Sequence, residues 1–65
     1  MIDLTEEEKA EIIATQIREA NRAIFENELN LVKWAAMEGD WTNQIAQGQR
    51  AIANDRAVID ALSAL

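Results

Sequence analysis

Carboxylates at helical spacing are the first residues of this 65-residue chain that could do chemistry. Glu7 and Glu11 are four positions apart, and Glu19 and Glu26 are seven apart, so each pair would share one helix face and could contribute to a metal site. The chain contains no histidine and no cysteine, which removes most zinc, haem and iron-sulfur ligands and the commonest nucleophile–base pairs. We therefore predict no metal, no cofactor and no enzymatic activity.

Arg18 and Arg22 are the second candidate, because two arginines four positions apart could bind phosphate. Glu26 follows Arg22 by four positions, so an ordinary solvated ion pair on a helix surface is the better interpretation. The formal net charge is −6, with twelve acidic residues against six basic ones. This balance disfavours phosphate backbones and anionic lipids, so we expect neither a nucleic-acid partner nor a membrane surface.

These side chains must be positioned by helices, because the chain has no proline and only two glycines. Thr5 and Glu8 have the spacing of a capping box, which predicts a helix start. Gly39 suits the left-handed position after a helix, and Asp40 suits the N-cap of a following helix. We therefore predict one helical hairpin over 1–65, with a first helix at about 6–38, a turn at 39–40 and a second helix at about 41–63.

Apolar residues recur along both helices at spacings of three and four, which predicts one buried face on each. Since a short turn makes neighbouring helices antiparallel, these faces should meet in an all-α rod roughly 50 Å long. Gly48 would then lie opposite Leu31 and permit a close approach. We call the predicted hairpin core the inner seam, and it consists of Ile13, Ile17, Ile24, Leu31, Trp34, Trp41, Ile45, Ile52, Ile59 and Leu62.

A second apolar series on the first helix does not fit the inner seam. We call it the outer stripe: Phe25, Leu29, Val32 and Ala36, again at spacings of four and three. In heptad terms these residues point away from the second helix. A rotation of both helices could share the two faces imperfectly, but we favour the outer stripe as a partner-binding face. The prediction is a coiled-coil hairpin packed into an oligomeric bundle or a larger multi-protein assembly.

Four residues on or near the inner seam have two interpretations. Trp34 and Trp41 flank the turn and could plug the end of the bundle or anchor a partner, and we favour the plug. Asn27 and Asp55 interrupt the apolar series and could set the helix register or contact a partner, and we favour the register role.

The helix-turn-helix length resembles that of the Rop hairpin, which pairs into a four-helix bundle, although no Rop motif is present. Several segments look more like those of short helical-hairpin proteins of marine and cyanobacterial phage. They are Leu4–Lys9, Glu28–Leu31, Met37–Asp40, Ala51–Ile52 and Ile59–Leu62. This resemblance implies a phage setting and assigns no activity.

Three functions remain from the sequence. The first, which we favour, is an accessory or cement-like structural protein of a phage particle that docks through the outer stripe. The second is a phage-encoded inhibitor of a host or defence protein, acting through the acidic segment around Glu6, Glu7 and Glu8. The third is a nucleic-acid-binding hairpin, which the net charge makes least favoured. The acidic start and the lack of a long apolar run predict a virion or host-cytoplasmic protein that is neither secreted nor transmembrane.

Overall fold

The chain folds as two antiparallel helices in the computed structural model, which describes residues 3–65. Helix α1 spans Glu6–Ala36 and helix α2 spans Thr42–Ser63, and no strand occurs within the described range. Gly48 of α2 lies against Leu31 of α1, whereas Arg56, further along α2, reaches back to Glu28. The molecule measures 52 × 20 × 14 Å, so the predicted all-α hairpin is confirmed, and it has the shape of a rod.

The start of α1 is held by the predicted capping box. The Glu8 backbone N–H donates to Thr5 Oγ1 at 3.1 Å, and the Thr5 backbone N–H donates to Glu8 Oε1 at 3.4 Å. Each bond satisfies a backbone donor that has no partner within the helix. Glu6, Glu7 and Glu8 occupy the first turn, where negative charge is stabilised by the helix dipole.

The turn is longer than the sequence indicates. Helix α1 ends at Ala36, two residues before the predicted end, because Met37 takes an extended backbone with φ −90° and ψ 146°. Gly39 adopts the expected positive φ, at 116°. The predicted N-cap role of Asp40 is wrong, because the N-cap of α2 is Trp41, which makes no side-chain capping bond. Asp40 instead accepts the Thr42 N–H at 3.1 Å, a local Asx-type bond that still satisfies the first donor of α2.

The core is a thin line of contacts midway along the rod. Four of the described residues are buried, namely Ala20 and Ile24 on α1 and Gly48 and Ile52 on α2. No large side chain among the described residues is fully enclosed. A two-helix layer has solvent on every other side, so it excludes water only along the line where the helices touch.

Candidate docking surface

The outer stripe lies on α1 away from α2. Phe25 is 60% exposed, Leu29 43% and Val32 67%, and the small Ala36 is exposed as well. The neighbouring Ile24, one residue before Phe25, is 9% exposed. Since successive helical residues are about 100° apart, these exposures place the outer stripe and the buried line on different faces of α1. The helices have not rotated to share the two apolar faces.

The inner seam faces between the helices along its whole predicted length. Ile24 and Ile52 are buried, and the other eight members are half-buried. A Cβ added to Gly48 would lie 3.0 Å from Leu31 Cδ2 and 3.2 Å from Trp34 Cζ3. The predicted opposition of Gly48 and Leu31 is therefore confirmed, and glycine leaves room for the Leu31 and Trp34 side chains.

Charged side chains border the outer stripe. Arg22 Nε lies 3.1 Å from Glu26 Oε1, which confirms the predicted ion pair on the solvated surface of α1. On the other edge, Glu28 Oε1 lies 3.5 Å from Arg56 Nη2 of α2. Lys33 makes no ion pair within residues 3–65. One edge of the outer stripe thus carries an internally satisfied Glu26 and an unpaired lysine seven residues further along.

The turn holds both tryptophans near the hairpin end. Trp41 Nε1 donates to the Glu38 carbonyl at 3.1 Å, and both indoles are half-buried. Asp40 Oδ1 accepts bonds from the Thr42 hydroxyl at 2.6 Å and the Thr42 N–H at 3.1 Å. These bonds, the hydroxyl first, hold the Asp40 carboxyl pKa below its ordinary value. Trp41 thus contacts the turn, and Trp34 lies against Gly48 of the facing helix; the plug role stays a prediction.

The polar residues of the seam do not bond to each other. Asn27 is half-buried, and its Nδ2 donates to the Ala23 carbonyl of the same helix at 3.0 Å. Asp55 is half-buried on α2 and makes no ion pair within the described part of the chain. The structure therefore contains no Asn27–Asp55 hydrogen bond that would fix the register, and the register role stays a prediction.

A second apolar patch at the end of the rod was missed by the sequence analysis. Its signal is the difference in helix length, since α1 has 31 residues and α2 has 22, so the first turns of α1 extend beyond α2. The result is a shallow, open depression of about 480 Å³. It is lined by Leu4, Glu6, Lys9, Ala10, Ile12, Ile13 and Leu65.

Neither helix, over residues 3–65, has an apolar stretch long enough to cross a bilayer. The same residues contain no group of three or more acidic side chains placed to hold a metal ion. No protein-family model, curated protein or solved structure matches the chain.

Proposed function

We propose that this chain is a non-enzymatic structural protein, an accessory or cement-like component of a phage particle that docks through the outer stripe. The exposure of Phe25, Leu29 and Val32 on one face of α1 carries the proposal. Full burial of such a side chain is worth about 1.5–3 kcal/mol, and roughly half of that remains to be gained at these exposures. A partner that covers all three thus gains several kcal/mol.

The rigidity of the surface supports the same role. The outer stripe lies on a continuous helix that is capped at its start and packed against α2 through Ile24, which is buried one residue from Phe25. A docking face built on a regular helix loses little conformational entropy on binding. The phage setting is supported by the resemblance of the turn and helix segments to those of phage helical hairpins.

The inhibitor alternative is supported by the exposed acidic residues of the first turns. Two of them are engaged within the chain, because Glu8 completes the capping box and Glu6 Oε1 lies 3.4 Å from Lys9 Nζ. Glu7 and Glu11 make no ion pair within residues 3–65 and would be the groups that meet a basic partner. Fewer groups are thus available for this role than the sequence indicates.

The test is incorporation into particles of the phage that encodes the chain. Mass spectrometry of purified particles should find the wild-type protein in fixed stoichiometry. Phe25→Gln with Leu29→Gln should abolish incorporation and leave helicity unchanged by far-UV circular dichroism, because neither side chain is in the hairpin core.

Val58→Gln is the matched control, since Val58 is 48% exposed but lies on α2, and it should be incorporated normally. Absence of the wild-type chain from particles would overturn the proposal. Glu7→Gln with Glu11→Gln tests the acidic segment in the same assay. If this variant is lost from particles while Phe25→Gln with Leu29→Gln is incorporated, the chain docks through the acidic segment and not through the outer stripe.

A further inference from the structure

We propose that the outer stripe docks onto the outer stripe of a second copy of this chain, with the two α1 helices antiparallel. This inference rests on the proposed function and names the partner: within the particle, the outer stripe joins one copy of the chain to another copy. The two-fold axis would pass between the levels of Asn30 and Leu31, which is the midpoint of the outer stripe. The outer stripes of the two copies then overlap along their full length. Two-fold pairing of one patch with itself is the commonest interface between identical chains.

Side-chain size is the first argument for this register. Around that axis Phe25 faces the partner's Ala36, and Leu29 faces the partner's Val32, with each contact occurring twice. The largest member of the stripe therefore meets the smallest, and the two of intermediate size meet each other. Pairing large with small side chains fills the space between facing helices and leaves neither a void nor an overlap.

Charge at the edge is the second argument. Glu26 and Lys33 are seven residues apart and border the same edge of the outer stripe. In an antiparallel pair, one edge of a helix meets the same edge of its partner. Lys33 therefore lies beside the partner's Glu26. Lys33 makes no ion pair within the described part of its own chain, whereas Glu26 already accepts a bond from Arg22 at 3.1 Å. Two alternating Arg22, Glu26 and Lys33 clusters would close the interface.

The orientation follows from the arginines. The outer stripe continues toward the start of α1 as Arg22 and Arg18, at the same spacings of three and four. In a parallel pair each arginine would face its own copy, and the like charges would repel. In the antiparallel pair Arg22 faces the level of the partner's Gly39, which lies between the acidic residues Glu38 and Asp40.

A charge-reversal series tests the register by sedimentation equilibrium. Wild type should dimerise between about 1 μM and 1 mM. Lys33→Glu should weaken dimerisation roughly tenfold at low salt, because two ion pairs become two repulsions. Adding Glu26→Lys should restore it to within about threefold of wild type. Phe25→Gln with Leu29→Gln should abolish it, and Val58→Gln should leave it unchanged.

A chain that stays monomeric throughout would overturn the second-copy proposal. In a parallel pair, opposite edges of the two helices meet. The proposal would therefore also be overturned if Glu28→Lys, and not Glu26→Lys, restored dimerisation of the Lys33→Glu variant. If the wild-type chain is monomeric and the outer-stripe variant still fails to enter particles, the proposed function stands and only the partner is wrong. If dimers form but particles lack the chain, the proposed function fails and the dimer stands.

Discussion

Gly48 shows how one residue sets the spacing of the helices. The position is buried, and the nearest atoms to an added Cβ are Leu31 Cδ2 at 3.0 Å and Trp34 Cζ3 at 3.2 Å. Alanine would gain about 1 kcal/mol of helix propensity over glycine, but Leu31 and Trp34 would have to shift by a few tenths of an ångström to admit its Cβ. Valine gains less helix propensity over glycine than alanine does, and its γ carbons extend further toward Leu31 and the indole.

Gly48→Val should therefore lower the free energy of unfolding by about 1–3 kcal/mol, the usual range for an overfilled core. Urea unfolding at one fixed chain concentration measures the change. Ala53→Val is the control, because Ala53 is exposed on the same helix and isolates the propensity effect of valine. Equal losses in the two variants would contradict the close approach at Gly48.

The two helices and their turn were predictable to different degrees. The inner seam follows from an apolar spacing that is repeated over several helical turns. One residue assigned to the wrong face does not change which face of the helix is predicted to be buried. The helix ends depend on a few local bonds of similar strength. Met37 leaves the helix before Gly39, and the Asp40 carboxylate bonds two residues ahead, so the ends shifted by one or two positions. The apolar patch at the end of the rod depends on the difference in length between the two helices. The pattern of one helix alone therefore could not predict it.

The Asp40 bonds to Thr42 make the turn sensitive to acid. Because the folded pKa lies below the ordinary value, the carboxylate stabilises the hairpin at any pH above the ordinary value. That contribution is lost as the pH falls through the lowered folded pKa. Asp40→Ala should therefore be less stable than wild type near neutral pH, and the difference should shrink once the pH falls below about 4.

Thermal unfolding of both proteins across this pH range measures the convergence. Glu38→Ala is the control, because the Trp41 indole bonds to the backbone carbonyl of Glu38 and not to its side chain. A stability difference between Asp40→Ala and wild type that stays constant from neutral to acidic pH would contradict the role of the carboxylate.

At the scale of the whole molecule, the thin core and the exposed outer stripe together tie stability to association. Among residues 3–65, only Ala20, Ile24, Gly48 and Ile52 are buried in the single chain. Any partner that binds the folded state and not the unfolded chain raises the apparent stability by mass action. If that partner is a second copy, the melting temperature must depend on chain concentration.

We expect the melting temperature of wild type to rise with each increase in chain concentration. Phe25→Gln with Leu29→Gln should remove this dependence, and Val58→Gln should retain it. Circular dichroism melts over a hundredfold concentration range measure the slope. A wild-type melting temperature that is independent of concentration would show that the hairpin is stable without self-association.

The two tryptophans of the turn also determine what optical probes can report. The chain has two tryptophans and no tyrosine, so its emission comes from the turn end, where Trp34 lies against Gly48 and Trp41 bonds to Glu38. Ellipticity, by contrast, averages over the whole rod. Opening that begins at the opposite end would lower the ellipticity before it changed the fluorescence. Two transitions at different temperatures would then mark directional unzipping, with a hairpin that is open at one end as the populated intermediate.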